Sequence, residues 1–185
     1  MSIRALAVLV AAVGAAALSL NGHAQAAIPQ AHGTTLAGTA VALPDATKDK
    51  VGVLVIGFSH ASQVQVAAWG RRLATDYGSS GGVAYFAIPM LAGAPKMLRG
   101  MIVKSMGKSV PEAEKPHFLP LTEDDKPWRA IAHYSKPDDA YVLGVDQAGD
   151  VEWQTEGDGS SKLSNHRSYE GCYHGFLAFF DHPSH

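Results

Sequence analysis

Cysteine is nearly absent from this chain of 185 residues, because Cys172 is the only one. A single cysteine cannot close an internal disulfide, and it cannot supply the paired thiols that a Cys-x-x-Cys site uses for disulfide exchange. Positive charge is also scarce: the formal net charge is -2, so no net positive field draws the protein to nucleic acid. Stability must therefore come from an apolar core, which a hydrophobic content of 46% can supply.

The N-terminal segment has the layout of a secretory signal peptide. Arg4 is the only Lys or Arg before Lys48, residues 5–20 are apolar and rich in alanine, and Ala24-Gln25-Ala26 is a small-x-small cleavage sequence. The apolar run is short for a membrane span, which needs about 20 residues, and an uncleaved signal anchor is the alternative interpretation. We expect residues 1–26 to be removed and the mature protein to be periplasmic or secreted.

The first half of the mature chain alternates β-rich and helical segments. Residues 27–33 are small and polar and predict a flexible lead-in, and Thr34–Leu43 predicts two short strands that form a hairpin. Val51–Phe58 and Val83–Met90 are nearly all apolar, which is typical of strands buried on both faces. The amphipathic helix between them, which ends at Tyr77, implies two parallel strands joined by a right-handed crossover.

The second half predicts two more helices and a hairpin before the C-terminus. Ala94–Met106 predicts a helix, and acidic residues after Thr122 indicate the start of another. The β-rich runs Tyr141–Asp146 and Val151–Thr155 flank a turn that contains glycine, which is a hairpin signal. A last helix is expected to end at Phe180. The fold class is therefore α/β, with a mixed sheet, helices on both faces and an N-terminal β-hairpin.

Three segments resemble the thioredoxin-like superfamily in its alkyl hydroperoxide reductase and thiol-specific antioxidant branch. Residues 36–45 resemble the opening hairpin of that branch, residues 50–58 its first central strand, and residues 141–153 its late hairpin. The Tyr-Val…Val-Asp…Trp pattern of the late hairpin is most similar to the mitochondrial ATP synthase assembly-factor family, which is not defined by a Cys-x-x-Cys. The resemblance implies one thioredoxin-like domain over residues 34–180, followed by a tail at 181–185.

The chain departs from the superfamily at the redox junction. Ser59-His60-Ala61-Ser62 occupies the place of the cysteine pair, and no Thr-x-x-Cys of the peroxiredoxin type exists there. The proline that usually precedes the late strand is missing, because Ala140 precedes Tyr141 and the nearest proline is Pro137. The resemblance therefore implies that the redox chemistry has been lost.

A serine beside a histidine at this junction suggests either a binding surface or a nucleophile. A nucleophilic serine needs a base and an orienting group in fixed geometry, and no nearby carboxylate in the sequence provides one. A helix cap with a solvated histidine is the simpler interpretation. We predict no catalytic residue here and retain Ser59 and His60 as candidate binding residues.

The segment 94–108 is basic, rich in methionine and amphipathic. Its apolar residues recur mostly at three- and four-residue steps, among lysines and one arginine. Such a helix can contact a protein partner or an anionic membrane, and alternatively its apolar face belongs to the core. The candidate binding residues on it are Met97, Arg99, Met101 and Lys104.

The C-terminal region holds the only cysteine and several histidines. Cys172 and His174 are two residues apart, a spacing that places them on different faces of a helix, and His166, His182 and His185 are spread around them. We expect no metal site and no cofactor, because a structural metal site needs convergent ligands. Cys172 is expected to be buried on the last helix, although an intermolecular disulfide is possible.

The function predicted from sequence is that of an exported, redox-inactive thioredoxin-like protein that acts as a binding or assembly-factor-like scaffold. Its partner would be a protein or a membrane surface, and not a nucleic acid. Two alternatives stay open: a thiol- or peroxide-linked oxidoreductase that uses Cys172, and a carrier of metal or a small ligand that uses the histidines.

Overall fold

The computed structural model describes residues 26–158. Within them, six strands, three α-helices and two short 3-10 helices follow one another along the chain. The strands are β1 (Ala31–Thr34), β2 (Ala40–Leu43), β3 (Val51–Gly57), β4 (Val83–Pro89), β5 (Ala140–Val145) and β6 (Val151–Glu156). The α-helices are α1 (Gln63–Tyr77), α2 (Lys96–Ser109) and α3 (Lys126–Ile131), and the 3-10 helices are Asp45–Thr47 and Lys115–His117.

The central sheet is mixed and has the strand order β4-β3-β5-β6. β3 and β4 are parallel and pair from Val51↔Val83 to Gly57↔Pro89, and α1 connects them. β5 is antiparallel to both β3 and β6. Because a βαβ unit is followed by an antiparallel hairpin that adds to the same sheet, the topology is thioredoxin-like and confirms the predicted fold class.

A short parallel extension lies beside β4. Phe118 bridges Ala87 and Leu121 bridges Met90, both in parallel orientation. The Leu119 N–H donates to the Ala87 carbonyl at 2.8 Å, and the Leu121 N–H donates to the Pro89 carbonyl at 3.1 Å. α2 therefore belongs to the connection between β4 and this extension, at the β4 side of the sheet.

Each face of the sheet has its own apolar cluster, and helices contribute to both. On one face, α1 buries a stripe at helical spacing, which consists of Val66, Trp69, Leu73 and Tyr77. On the other face, Trp128 of α3 and Leu43 of the N-terminal hairpin pack with Tyr141 of β5. The predicted arrangement of helices on both faces is thus confirmed.

The predicted flexible lead-in at residues 27–33 is wrong. β1 begins at Ala31, and Ile28 is buried with its N–H donating to the Gly149 carbonyl at 2.9 Å. Gly33 lies so close to the extension beside β4 that a Cβ would stand 2.8 Å from the Leu119 side chain. Small residues in this segment therefore permit close packing and do not indicate flexibility.

Several sequence predictions fall outside the described residues. They concern the leader before residue 26, the last helix that ends at Phe180, Cys172, the tail at 181–185, and the histidines of the C-terminal region, which are His166, His174, His182 and His185.

Candidate functional site

The candidate site lies at one end of the sheet, where the parallel strands β3 and β4 finish. The turn Phe58–Ser62 follows β3, and the loop 90–95 follows β4. β5 runs in the opposite direction to β3, so the loop that precedes it reaches the same end. Ligands of α/β proteins commonly bind in the crevice at the carboxyl ends of parallel strands.

Ser59 and Ser62 form a reciprocal hydrogen-bonded turn between β3 and α1. The Ser62 N–H donates to Ser59 Oγ at 3.1 Å, and the Ser59 N–H donates to Ser62 Oγ at 3.3 Å. Ser62 Oγ in turn donates to the Ser59 carbonyl at 2.9 Å. Ser62 is 0% exposed and stands at the N-cap position of α1, although its hydroxyl makes no capping bond to the helix.

The loop before β5 is tied to this turn and to α1. Ser59 Oγ donates to Asp138 Oδ1 at 3.3 Å, and Gln65 Nε2 donates to Asp139 Oδ1 at the same distance. Gln65 Oε1 accepts the Ala140 N–H at 2.8 Å. Two aspartates and a glutamine thus join the loop before β5 to the turn and to α1. Sequence reasoning did not identify them, although the adjacent acidic pair directly before a strand was a usable signal.

The arrangement around Ser59 does not resemble a nucleophile and its base. Ser59 donates directly to Asp138, whereas a catalytic triad places a histidine between the serine and the carboxylate. His60 is exposed on the turn. Within residues 26–158, no three His, Cys, Asp or Glu side chains are grouped in a way that could hold a metal ion. The predicted binding roles of Ser59 and His60 stay predictions.

Aromatic side chains and an arginine fill the space beside the turn. Phe58 lies edge-on to Tyr134 and Tyr141, with ring centroids 5.1 and 5.7 Å apart. The guanidinium of Arg129 lies 4.7 Å from the centroid of Phe58 and 4.1 Å from that of Tyr134, and its Nε is 2.7 Å from Asp125 Oδ2. Partial burial works to lower the pKa of Arg129, but its bonds to Asp125 and Tyr134 outweigh that effect and raise the pKa. Sequence reasoning did not identify this cluster.

α2 lies near the same end of the sheet but leaves three of its six apolar side chains in solvent. The helix, which is described along its whole length, has no buried residue. Met97 is 89% exposed, Met101 63% and Leu98 41%. Met106, on another side of the helix, packs against the core cluster of α1. The alternative that the whole apolar face of this segment belongs to the core is therefore wrong, because only its C-terminal half contacts the core.

Arg99 differs from the other candidate residues on α2. Its guanidinium donates to the carbonyls of Ala92 at 2.7 Å, Ala94 at 2.9 Å and Thr122 at 3.0 Å. These bonds attach the first turn of the helix to the two loops beside it, and they use three of the five N–H donors of the side chain. Arg99 therefore positions the helix, whereas Met97, Met101 and Lys104 lie on its exposed side.

An open cleft of about 540 Å³ lies beside the start of α2. It has a mixed-charge lining in which Asp125 and Arg129 are paired with each other and Arg99 is bonded to backbone carbonyls. Among the remaining lining residues are Ala92, Gly93, Lys96, Thr122, Glu123 and Asp124. Because most of its charges are already satisfied, the cleft shows no single preference for an anion or a cation.

No helix within residues 26–158 is long and apolar enough to cross a lipid bilayer. No protein-family model matches the chain, and no curated protein sequence matches it.

Solved structures do match. One is an uncharacterized conserved protein from Geobacillus kaustophilus, with a TM-score of 0.50 and 20% identity over 78% of this chain and 74% of that chain. Another is an exposed lipoprotein thioredoxin from Streptococcus pneumoniae, with a TM-score of 0.49 and 11% identity over 69% and 88% of the two chains. A third is the thioredoxin domain of a thiol-disulfide oxidoreductase from Bacteroides vulgatus, with a TM-score of 0.49 and 16% identity over 70% and 86%.

At these identities the likeness concerns the fold alone. The strand order, the βαβ unit and the antiparallel hairpin give this chain a thioredoxin-like fold. Residues 26–158, which the structure describes, contain no cysteine.

Proposed function

We propose that the protein is an exported, redox-inactive scaffold of the assembly-factor type, which binds a protein partner through the exposed stripe of α2. The stripe consists of Met97, Met101, Lys104 and Lys108. These positions are separated by four, three and four residues, so they share one side of the helix. The signal-peptide layout of the first 26 residues supports export.

The observation that carries this proposal is a pair of exposed methionines on a helix whose first turn is hydrogen-bonded to neighbouring loops. Met97 and Met101 are 89% and 63% exposed, while Arg99 bonds the first turn of the same helix to neighbouring loops. Burying one methionine side chain contributes about 1.5–3 kcal/mol relative to leaving it in water. A partner that covers both methionines therefore gains binding free energy from their burial. Because the first turn of the helix is already attached, the helix loses little conformational entropy on binding.

The charges of the stripe favour an acidic partner. α2 carries Lys96, Arg99, Lys104 and Lys108 and contains no acidic residue. In the part of the chain that the structure describes, no carboxylate lies within ion-pair distance of Lys104 or Lys108. A partner surface with acidic groups around an apolar centre would complement both features.

A protein partner fits the stripe better than a lipid surface does. Helices that lie in a membrane interface usually carry Trp, Phe or Leu on the apolar face, whereas α2 has no aromatic residue, a single leucine (Leu98) and two glycines. Methionine is flexible and polarisable, which suits contact with an irregular protein surface. Binding to anionic vesicles is therefore an outcome that the test below must distinguish.

The turn after β3 supports the redox-inactive part of the proposal. Disulfide exchange and peroxide reduction need a thiolate, and the hydroxyls of Ser59 and Ser62 are held in hydrogen bonds with backbone groups and Asp138. The chain contains one cysteine, Cys172, which lies outside the described residues. Purified wild type and Cys172→Ser are expected to reduce insulin and consume peroxide no faster than buffer.

A photo-crosslinking experiment on the full chain tests the proposed surface. A photoreactive residue replaces Met101 in one variant and Val64 in a matched control, because Val64 is 76% exposed on α1. Expression in an exporting host, irradiation and mass spectrometry identify the crosslinked protein. The affinity of that protein for wild type and for Met101→Asp is then measured in purified form.

We expect a specific crosslink from position 101 only, and a loss of affinity of about tenfold or more in Met101→Asp, which corresponds to one buried side chain. Lys104→Glu should weaken binding to an acidic partner less strongly. Equal crosslinking from position 64, a crosslink from 101 to the protein's own chain, or binding only to anionic vesicles would each overturn the proposal.

A further inference from the structure

The residues that follow the predicted leader are docked on the turn between β5 and β6. The Val151 N–H donates to the Ala26 carbonyl at 3.0 Å, and the Ile28 N–H donates to the Gly149 carbonyl at 2.9 Å. Ala27 stands between these two bonds, directly opposite Asp150 in an antiparallel bridge. Ile28 is 4% exposed and belongs to the core cluster on that face of the sheet.

The turn that receives these residues is fixed by its own hydrogen bonds. Asp146 Oδ1 accepts the N–H groups of Ala148 at 2.8 Å and of Asp150 at 2.9 Å. Gly149 has φ of +89°, a conformation that glycine adopts without strain, and its N–H donates to the Asp146 carbonyl at 3.1 Å. Asp150 is thus held in place whether or not the N-terminal segment is docked.

The carboxylate of Asp150 has no polar partner in the described part of the chain. Its backbone groups are bonded to Asp146, but no hydrogen bond or ion pair is made by its side-chain oxygens. The carboxylate of Asp146, the other acidic group of the turn, already accepts two N–H groups. Asp150 is therefore the acidic side chain that is free to accept a new cation at this place.

Cleavage of the leader would create such a cation. Hydrolysis of the Ala26–Ala27 bond adds water: the Ala26 carbonyl becomes a carboxylate that leaves with the leader, and the Ala27 nitrogen becomes an α-amino group. That amine has an ordinary pKa of about 7.7–8.0 and is mostly protonated at neutral pH. In an antiparallel bridge of this kind the two Cα atoms lie about 4.5 Å apart, so the ammonium is within reach of the Asp150 carboxylate.

We propose that Asp150 is the receptor for the N-terminus created by processing, and that the ion pair between the Ala27 α-ammonium and the Asp150 carboxylate completes the docking of residues 27–28. The inference rests on the proposed export and on cleavage after Ala26. Cleavage removes the acceptor of the Val151 N–H, and the new ion pair replaces the attachment that this bond provides in the precursor. The mature chain thereby has an anchored N-terminus.

A two-by-two comparison tests the ion pair. One chain begins at Ala27 with a free amine, and a second is identical but acetylated at that amine by chemical ligation. Each is prepared as wild type and as Asp150→Asn, and the melting temperature is measured at pH 7 in low salt and in 1 M NaCl. Glu114→Gln, which removes one half-buried carboxylate elsewhere at a residue with an ordinary φ of -90°, is the matched control.

We expect Asp150→Asn to lower the melting temperature of the free-amine chain by about 1–4 °C more than Glu114→Gln does, because a partly exposed ion pair is lost. The difference should vanish in the acetylated chain and shrink in 1 M NaCl. An equal effect of Asp150→Asn on both chains, or no effect on either, would overturn the ion pair.

N-terminal sequencing of the exported protein separates this inference from the binding proposal. A mature chain that begins at Ala27 supports it, and any other start overturns it. Neither result bears on the affinity of Met101→Asp for a partner, so failure of the α2 surface and failure of the anchored terminus are seen in different measurements.

Discussion

The turn after β3 and the helix α2 follow neighbouring parallel strands at the same end of the sheet, but their side chains differ in how far they are engaged with the rest of the protein. In the turn, the hydroxyls of Ser59 and Ser62 and the carboxylate of Asp138 are engaged with one another and with backbone groups. In α2, Met97 and Met101 extend into solvent. The polar groups of the first region are satisfied internally, and the apolar groups of the second are not.

This contrast indicates where a partner can gain free energy. A neutral hydrogen bond contributes about 0.5–1.5 kcal/mol net, and a ligand that displaces one at the turn must first replace it. A partner that covers the methionines of α2 breaks no bond and removes apolar surface from water. At this end of the sheet, the turn is stabilised by internal hydrogen bonds and the helix is available for contact.

Restoring sulfur to the turn should have the largest effect. We expect Ser59→Cys/Ser62→Cys, made in a Cys172→Ser background, to form a disulfide and to reduce insulin about tenfold or more above the parent protein, because a thiolate then occupies the start of α1. Thiol counting by mass spectrometry measures the disulfide, and the insulin assay measures the reductase activity. The single variant Ser62→Cys is the control, and a double variant that is no more active than this control would show that the turn lacks the geometry of a redox junction.

A methyl group placed at Gly57 should destabilise the protein at the turn after β3. A Cβ there would lie 2.7 Å from both Ser62 Oγ and Val66 Cγ2. We expect Gly57→Ala to lower the free energy of unfolding by about 1–3 kcal/mol, which is typical of overpacking in a buried place. Urea denaturation followed by circular dichroism measures it, and an unchanged midpoint would mean that the turn is looser than its hydrogen bonds indicate.

Removing the guanidinium of Arg99 should detach α2 without changing its exposed stripe. We expect Arg99→Gln to cost about 1–2 kcal/mol, since bonds from a charged donor to three carbonyls are lost at a half-exposed position. Hydrogen exchange of the α2 amides should accelerate. Lys104→Gln, at an exposed position on the same helix, should leave the free energy of unfolding within about 0.5 kcal/mol of wild type and the exchange rates of the α2 amides unchanged. Similar exchange rates in the two variants would contradict the positioning role of Arg99.

A glycine-to-alanine substitution on α2 should raise the stability of the protein, whereas the same change at Gly57 lowers it. A Cβ at Gly100 meets nothing within 4 Å. We expect Gly100→Ala to stabilise the protein by about 0.5–1 kcal/mol, because alanine is the better helix former and has nothing to displace. The urea midpoint should therefore rise slightly, and a fall would show that this side of the helix is covered in solution.

The sequence was sufficient for the elements whose hydrophobic pattern is unambiguous. Val51–Gly57 and Val83–Pro89 are strands because near-continuous apolar runs need burial on both faces, and the late hairpin follows from a glycine turn between β-rich runs. The lead-in was mispredicted because composition does not reveal that Ile28 has a place in the core. The hydrophobic pattern of the sequence therefore identified the local structure but did not determine the long-range packing.

The candidate site was predictable in position but not in detail. Spacing placed Ser59 and Ser62 at the start of α1, whereas the bond from Ser59 to Asp138 joins residues 79 positions apart. The periodicity of α2 was visible, but periodicity does not distinguish a face that packs on a sheet from one that stays in water. Arg99 was assigned to the basic surface because its charge is visible in the sequence, while its bonds to backbone carbonyls depend on the fold.

The most direct test is the dissociation constant of the partner identified by crosslinking, measured with purified wild type, Met101→Asp and His60→Ala. We expect Met101→Asp to weaken binding by about tenfold or more, and His60→Ala, on the exposed turn, to change it less than twofold. Undiminished binding by Met101→Asp together with a large loss in His60→Ala would place the functional surface at the turn and contradict the proposed role of α2.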